Sequence, residues 1–284
     1  MAKKRRKKRR IRYGRLLVLI LLVIGVLFLF FRGISILISS FQTTPEPLPA
    51  EPTPTPDPVY KNNYDWSFLK NDEGRYRYED ENYTSSFGID VSHYQGSVDW
   101  QAVKNAGVEF VFIRAGYRGY TEGVLHEDEF FRENIQKAVD AGLEIGVYFF
   151  SQAVDAAEGE EEAGFLLNLI KDYPIEYCVF DLEIADEEQR TYTNDAEINT
   201  AAALAFCKKI NESGYTSMVY GSKSFLMHDI RMVDLQDTTQ FWLAGYGTDT
   251  PEFPYVFSMW QYSCEGEIDG ISTNVDLNIR FNKK

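Results

Sequence analysis

Two acidic residues stand two positions apart in the segment Tyr177-Cys-Val-Phe-Asp181-Leu-Glu183. The segment is predicted to be a strand, and residues two apart on a strand project from the same face. Asp181 and Glu183 would therefore lie side by side at the strand end. Adjacent carboxyl groups repel each other, and burial raises the pKa of whichever is less solvated. One protonated and one ionised carboxyl group are the pair of catalytic groups that most glycosidases use to cleave a glycosidic bond.

Two more acidic residues, Asp90 and Asp276, fall on the first and last predicted strands. In a closed eight-stranded barrel those strands are neighbours, so all four carboxylates would converge on one mouth. The four residues are the candidate catalytic group. The ordinary alternative is that acidic residues at strand ends cap neighbouring helices or turns.

Aromatic residues also follow the predicted strand ends. Sugar rings stack through their C–H groups on flat aromatic faces, so several aromatics around one mouth would favour a glycan site. For each residue taken singly, core packing is the alternative. These aromatics are Tyr117, Tyr148, Phe150, Tyr220, Tyr246, Trp260 and Tyr262.

Motifs for other chemistry are missing from the sequence. The histidines show no metal-ligand spacing, and there is no G-x-S-x-G motif and no glycine-rich phosphate loop. We therefore expect neither a metal nor a cofactor. Three cysteines, Cys178, Cys207 and Cys264, are too few for a disulfide scaffold; a Cys178–Cys207 bond is conceivable, and buried thiols are expected there.

The charge is divided unevenly along the 284 residues, whose net charge is −14. Residues 1–32 hold eleven Lys and Arg and no acidic residue, whereas the remainder holds 18 basic and 43 acidic residues, a net charge of −25. That remainder would repel phosphates, which excludes nucleic acid as its partner.

The pattern of the N-terminal residues predicts a membrane anchor. A basic cytoplasmic segment, 1–15, precedes an uncharged run from Leu16 to Phe31, and we predict one transmembrane helix over 16–40. A cleaved signal peptide is the alternative, but the run is long and no small-residue cleavage site follows. The basic cluster places the N-terminus in the cytoplasm and the later residues outside the cell membrane.

A linker separates the predicted anchor from the regular part of the chain. Seven of the ten prolines fall between Pro45 and Pro58, which predicts an extended polyproline spacer over 41–58. Residues 59–84 are ambiguous: they either pack on the following domain as a strap or continue the linker.

From Ser85 to the end, 85–284, short apolar runs alternate with helical patterns. Five strand–helix units followed by three strands are typical of a parallel sheet, open or closed. Eight strands favour an irregular α/β barrel, which places its chemistry at the carboxyl ends of the strands. The predicted strands are 86–92, 110–116, 144–151, 177–183, 216–221, 239–246, 257–263 and 275–281, and the predicted helices are 99–106, 128–141, 155–172, 194–213 and 223–230.

Several of these segments resemble the motifs of glycoside hydrolase family 25, the Chalaropsis-type lysozymes or N-acetylmuramidases. The resemblance covers about residues 86–282 in the family's order and spacing. Its main motifs are Phe87-Gly-Ile-Asp90-Val-Ser-His-Tyr-Gln95-Gly96, Phe110-Val-Phe-Ile-Arg114, Gly146-Val-Tyr148, Asp181-Leu-Glu183, Phe241-Trp242-Leu-Ala244-Gly-Tyr246, Trp260-Gln261-Tyr262 and Val275-Asp276-Leu277-Asn278.

The resemblance implies a flattened (β/α)5β3 barrel that hydrolyses the β-1,4 bond after N-acetylmuramic acid in peptidoglycan, with retention. It implies that Glu183 is the general acid/base and that Asp181 is either a nucleophile or the group that orients the substrate's N-acetyl. Asp90 and Asp276 match acidic positions that bind substrate and tune this pair. The candidate substrate-binding residues of this sequence are Tyr117, Tyr148, Phe150, Tyr220, Tyr246, Gln261 and Tyr262.

Two other functions stay open at this point. One is a catalytically weak module that binds the cell wall or acts as a scaffold. The other is a chitin-type glycosidase, because a substrate-assisted Asp-x-Glu also serves there. The expected partners are peptidoglycan strands and, through the N-terminal helix, the membrane; the sequence leaves the oligomeric state open.

Overall fold

The computed structural model describes residues 59–184 and 186–284. The basic segment, the predicted transmembrane helix and the proline-rich linker lie outside these described residues. Within the described ranges, no helix is both long enough and apolar enough to cross a membrane.

The strands of the described residues form a small hairpin and a closed barrel. In chain order they are β1 (Leu69–Asp72), β2 (Arg75–Tyr78), β3 (Tyr83–Val91), β4 (Phe110–Arg118), β5 (Leu125–Glu127), β6 (Glu144–Phe150), β7 (Ile175–Asp181), β8 (Thr216–Ser222), β9 (Gln240–Ala244), β10 (Met259–Gly266) and β11 (Val275–Lys283).

The barrel confirms the α/β class and the eight strands predicted from the sequence. Its strands follow the order β3, β11, β10, β9, β8, β7, β6 and β4, and the pairing of β3 with β4 closes the ring. The short strand β5 pairs antiparallel with the last three residues of β4, Gly116–Arg118. Closure brings the first and last strands together, as the argument about Asp90 and Asp276 requires.

The direction of the last strand differs from that in the predicted parallel sheet. β11 runs antiparallel to both β10 and β3, whereas β9 and β10 are parallel. Only the short segment 267–274 joins β10 to β11. A parallel partner needs a crossover of a dozen or more residues, so a connection this short reverses the strand.

Helices cover the outside of the barrel. They are α1 (Trp100–Asn105), α2 (Phe131–Asp140), α3 (Ala156–Ile170), α4 (Ala196–Glu212) and, after a π-helical turn at Phe225–Asp229, the short α5 (Met232–Leu235). Aspartates cap three of them: Asp99, Asp155 and Asp195 accept hydrogen bonds from backbone N–H groups in the first turns of α1, α3 and α4.

Side chains of β7 alternate between two apolar layers. Val179 packs inside the barrel with Phe110, Phe112, Met218 and Met259, whereas Cys178, Phe180 and Leu182 join the larger core under the helices. Asp181 therefore shares the inward face with Val179. All three cysteines are free thiols; Cys178 and Cys207 are buried and Cys264 is exposed.

Residues 59–84 form a strap on the barrel, which resolves the ambiguity left by the sequence. Its hairpin turns at Glu73 and Gly74, both with positive φ (52° and 90°), as a two-residue hairpin loop of this twist requires. The strap then buries aromatic side chains against the barrel. The contacts pair Trp66 with Phe257, Tyr78 with Phe281, and Tyr76 with both Trp260 and Tyr262.

The first residues of the strap lie at the base of the barrel, the end where the parallel strands begin. Tyr60 N donates to Gln236 Oε1 at 2.7 Å, and Val256 N donates to Tyr60 O at 2.8 Å. Gln236 lies just before β9 and Val256 just before β10. The described chain thus begins at the end opposite the carboxyl ends of the strands.

Candidate active site

The four predicted carboxylates meet at the mouth of the barrel. Asp181 is the last residue of β7, Glu183 follows it, and Asp90 lies one residue before the end of β3. Asp276, the second residue of β11, is the register partner of Asp90. Because β11 is antiparallel, its beginning lies at the same end of the barrel as the ends of the other strands.

These carboxylates line a cleft of about 260 Å³. Acidic, aromatic and amide side chains line the cleft. Of the described residues that line it, Arg114 is the only arginine. Its lining is Asp90, Ser92, Tyr94, Gln95, Arg114, Tyr120, Tyr148, Phe150, Asp181, Glu183, Tyr220, Trp242, Tyr246, Gln261 and Asp276.

Asp181 and Glu183 occupy different environments within the cleft. Asp181 is 5% exposed, and its Oδ1 has no hydrogen-bond partner among the described residues. Burial, followed by the negative charge of Glu183, raises the pKa of Asp181 well above its usual range, and the Arg114 cation opposes this rise. Glu183 reaches the exposed rim, where desolvation by the cleft walls, followed by the charge of Asp276, raises its pKa.

Asp90 and Asp276 form a second carboxyl pair beside the first. Burial raises the pKa of Asp90 well above its usual range, with a further rise from the charge of Asp276. Burial also raises the pKa of Asp276, to about 6. Gln261 and Asn278 each donate an amide hydrogen bond to Asp90 Oδ2, at 2.8 and 2.7 Å.

Arg114 is a cleft residue to which sequence reasoning gave no role. Its Nε donates to the buried Asp128 at 2.8 Å, and its guanidinium also contacts the His93 ring. The same guanidinium lies 5.6 Å from the centre of the exposed Tyr94 ring. Asp128 holds Arg114 in place, so a positive charge stays in the cleft.

Most of the predicted substrate contacts lie on the cleft wall. Tyr148, Phe150, Tyr220, Tyr246 and Gln261 all line it. The structure also adds residues that sequence reasoning missed. Trp242, Tyr94 and Gln95 stood inside the quoted motifs and could have been found there, whereas Tyr120 lies in the loop after β4 and carried no signal.

Two predicted contacts, Tyr262 and Tyr117, lie outside the lining of the cleft. Tyr262 points away from the cleft and packs on Tyr76 of the strap, with ring centres 4.9 Å apart. Neighbouring strand residues face opposite sides, so Gln261 and Tyr262 cannot both point inwards. Tyr117 stacks on His126 of β5, with ring centres 5.0 Å apart, after an irregularity in the register of β4.

No group of three His, Cys, Asp or Glu side chains within residues 59–184 and 186–284 has the geometry to hold a metal ion. The side chains that line the cleft provide carboxyl groups, one guanidinium, amides and phenols. Two close carboxyl pairs with raised pKa values, walled by aromatic rings, suit acid–base attack on a sugar acetal.

Comparison with known proteins agrees with this geometry. The model of the glycosyl hydrolases family 25 matches residues 89–271. The chain belongs to glycosyl hydrolases family 25. It is therefore a glycoside hydrolase, and the segment that matches family 25 contains Asp90, Asp181 and Glu183, while the strap precedes it and Asp276 follows it.

Relatives within family 25 carry lysozyme names. "Lysozyme M1" of Streptomyces globisporus is 30% identical over 213 residues, which cover 69% of this chain and 67% of the relative. The "Autolytic lysozyme" of Clostridium acetobutylicum is 30% identical over 192 residues, covering 67% of this chain and 54% of the relative. This chain thus spans only about half the length of the Clostridium relative.

The fold is shared with solved structures. The crystal structure of the bacterial lysozyme from Streptomyces coelicolor is 26% identical, with a TM-score of 0.58, and the similarity covers 69% of this chain and 92% of that one.

Proposed function

We propose that this protein is a membrane-anchored, extracytoplasmic muramidase. It hydrolyses the β-1,4 bond between N-acetylmuramic acid and N-acetylglucosamine in peptidoglycan, with retention of configuration. The observation that carries the proposal is the convergence of Asp181, Glu183, Asp90 and Asp276 on one aromatic-walled cleft. The lysozyme names of the relatives support the choice of substrate.

Glu183 acts as the general acid in this proposal. It stands on the exposed rim, where a glycosidic oxygen can reach it, and its raised pKa keeps a proton on it at pH values where an ordinary glutamate is ionised. After the leaving group departs, the ionised Glu183 takes a proton from water, which then attacks the sugar carbon.

Asp181 supports the sugar from deeper in the cleft. Its Oδ1, without a partner among the described residues, is available either to attack the anomeric carbon or to accept a hydrogen bond from the substrate's N-acetyl N–H. The Arg114 charge favours the ionised form that attack requires, and burial favours the protonated form. Both roles need Asp181 beside the same sugar.

Aromatic side chains hold the sugars on either side of the scissile bond. Tyr120 and Tyr246 are 52% and 46% exposed at the rim, so their ring faces are available to a glycan. Tyr120 packs edge-on against Phe150, with ring centres 5.7 Å apart, which supports its position. We assign substrate binding to these residues together with Tyr148, Tyr220 and Gln261.

The anchor is a proposal from residues 1–40. The basic run followed by the uncharged run supports one helix with its N-terminus in the cytoplasm. The acidic barrel domain would then stand outside the membrane, where peptidoglycan is accessible.

The test is a digest of purified peptidoglycan by the full-length chain in mild detergent, with new ends identified by mass spectrometry. We expect new reducing ends on muramic acid, and we expect Glu183→Gln to lower the rate by at least about 10²-fold. The matched control is Glu187→Gln, an exposed glutamate of the same loop, which should keep the wild-type rate.

The same digest separates the other candidate functions. Retained binding of glycan without any new ends would contradict the muramidase and favour a wall-binding scaffold. Cleavage of chitin oligomers in preference to peptidoglycan would favour the chitin-type glycosidase, because chitin lacks the lactyl group of muramic acid. An unchanged rate in Glu183→Gln would remove Glu183 from the role of acid.

A further inference from the structure

The Tyr120 loop, residues 119–124 between β4 and β5, carries an exposed aromatic residue of the cleft. Tyr120 is 52% exposed and lines the cleft. The loop closes on itself, because Gly119 N donates to Val124 O at 2.9 Å. The Tyr120 ring has an edge-on contact with Phe150. A single edge contact leaves the ring face open to solvent, so the position of the ring depends on what holds the loop.

Arg118 ties the Tyr120 loop to helix α3. It is the last residue of β4 and is 3% exposed. Its Nη1 donates to Gly123 O in the loop, and its Nε donates to Oε1 of the buried Glu162, both at 2.8 Å. Its Nη2 donates to Glu161 Oε2 at 2.8 Å and to Glu158 O at 3.2 Å. Because every nitrogen of this guanidinium has an acceptor, the group keeps one orientation and fixes one side of the loop.

Arg190 holds the other side of the Tyr120 loop. It lies in the segment after Glu183, and its backbone N donates to Tyr120 O at 2.9 Å. Its Nη2 donates to Glu158 Oε1 at 2.8 Å. The second carboxylate oxygen of Glu158 accepts a hydrogen bond from Val154 N at 3.0 Å, so the partner of Arg190 is itself held in place. Arg190 therefore bridges the loop and helix α3.

The Arg190 side chain also packs directly on the backbone of the loop at Gly123. A Cβ atom added to Gly123 would clash with Arg190 Nη1. Gly123 has a φ of 68°, a conformation that glycine adopts without strain. The same Nη1 is buried and has no hydrogen-bond partner among the described residues, so its contact with the loop is one of packing. The guanidinium thus rests on the loop as well as on Glu158.

We propose that Arg190 is a positioning residue that holds Tyr120 at the rim of the cleft, in a fixed place relative to the segment that carries Glu183. Gln189, next to Arg190, donates from its side chain to Glu183 O at 3.2 Å, so the two supports are adjacent in the chain. The consequence for glycan binding rests on the proposed function. A sugar ring stacked on Tyr120 is bound where Arg190 holds that ring. If the ion pair of Arg190 only stabilised the fold, Tyr120 would keep its position without it.

The first measurement follows the Tyr120 ring and needs no sugar. The full-length chain in mild detergent is labelled with meta-fluorotyrosine, and the ¹⁹F NMR signal of Tyr120 is assigned by its loss in Tyr120→Phe. Arg190→Met keeps an unbranched side chain and removes the guanidinium from Glu158 and Gly123. We expect the Tyr120 signal to shift and broaden as the loop samples other positions. Arg190→Lys keeps a positive charge opposite Glu158 and should return the signal towards its wild-type position.

The matched control is Lys209→Met. Lys209 of α4 pairs with Glu160 of α3, with Nζ 2.9 Å from Oε1. Its removal therefore breaks an ion pair to the same helix that Arg190 contacts, but neither partner belongs to the Tyr120 loop. We expect this variant to leave the Tyr120 signal unchanged.

The second measurement is a double-mutant cycle on glycan binding. All chains carry Glu183→Gln to prevent cleavage of the probe, a soluble tetrasaccharide of alternating N-acetylglucosamine and N-acetylmuramic acid, and calorimetry measures its affinity. We expect Tyr120→Ala and Arg190→Met each to weaken binding by about three- to tenfold, the size of one aromatic contact. The double variant should bind no more weakly than Tyr120→Ala alone, because Arg190 acts through that ring.

The outcomes separate this inference from the muramidase proposal. An unmoved Tyr120 signal in Arg190→Met, with thermal unfolding showing that the variant is folded, would overturn the inference, and so would an equal shift in Lys209→Met. Losses of affinity that multiply in the double variant would show that Arg190 acts apart from Tyr120, and they would overturn it too. A moved signal in a chain whose wild type neither binds nor cleaves the glycan would support the positioning role and contradict the proposed function.

Discussion

Thr191 Oγ1 donates a hydrogen bond to Gln152 Oε1 at 3.0 Å, and both residues are fully buried. Gln152 follows β6, whereas Thr191 lies in the segment after Glu183. Further bonds support the same segment: Gln189 Nε2 donates to Glu183 O at 3.2 Å, and Asn194 Nδ2 donates to Ala153 O at 3.0 Å. The loop that carries Glu183 is thus fastened to the neighbouring strand end.

Thr191→Val should loosen this loop. The substitution keeps the shape and removes the hydroxyl, which leaves the buried Gln152 oxygen without its donor at a cost of about 1–3 kcal/mol. We expect a lower free energy of unfolding and a lower kcat for peptidoglycan, both measured on the full-length chain. Thr193→Val, at an exposed position of the same segment, is the control. A normal kcat in a destabilised Thr191→Val would show that the loop position does not depend on this bond.

Asp276→Asn should move the pH dependence of catalysis. The negative charge of Asp276 raises the pKa of Glu183, so its removal lets Glu183 lose its proton at a lower pH. A general acid must be protonated, and we therefore expect the alkaline limb of the kcat/KM profile to shift to lower pH. Asp269→Asn, in the exposed loop between β10 and β11, should leave the limb in place. A shift in the opposite direction would exclude this coupling.

Glu162 should make the fold less stable as the pH rises towards neutrality. Burial raises the pKa of Glu162 from 4.5 to about 7, against the pull of Arg118, whose Nε lies 2.8 Å away. Between these pH values the folded state keeps a proton that the unfolded chain has lost, so the free energy of unfolding falls with rising pH, by at most about 1.4 kcal/mol per pH unit. Urea titrations at pH 5, 6 and 7 measure the slope. Glu162→Gln should reduce it, and an identical slope in the variant would contradict the assignment.

Tyr76→Ala should detach the strap from the barrel. Tyr76 is 9% exposed and packs against Trp260 and Tyr262, with ring centres 5.0 and 4.9 Å away. Removing a buried aromatic ring costs about 3–5 kcal/mol. Tyr76→Phe keeps the ring and loses only a long hydrogen bond to Thr248 O, 3.4 Å, so we expect it to stay near the wild type in chemical denaturation. Equal loss in both variants would mean that the hydroxyl, and not the ring, holds the strap.

The sequence predicted the strands of the barrel well because apolar runs and alternation lie within each strand's own segment. Alternation on β7 placed Asp181 and Val179 on one face, and all eight barrel strands fall where the apolar runs predicted them. The direction of β11 was missed, because strand direction depends on the length of the connection and not on the pattern within the strand. The sequence predicted that Asp276 lies near Asp90 because a closed barrel makes the first and last strands neighbours. The two residues also meet because β11 runs antiparallel to β3, which brings the beginning of β11 to the end of β3.

The site was harder to predict where a contact joins distant parts of the chain. Tyr262 has the same residue type and strand position as a cleft aromatic, and only the strap shows that it faces outwards. Arg114 stood in a quoted motif, but its role depends on Asp128, which lies on the segment after β5. Tyr120 lies in an irregular loop, where neither periodicity nor motif spacing places a side chain.

The strap begins at the base of the barrel, whereas the cleft opens at the mouth. Strands of about seven residues separate the two ends by roughly 20 Å. The first described residues therefore lie at the end of the domain opposite the cleft. A sugar strand therefore reaches the acidic residues only from the mouth, and a surface that covered the base of the barrel would leave the cleft open.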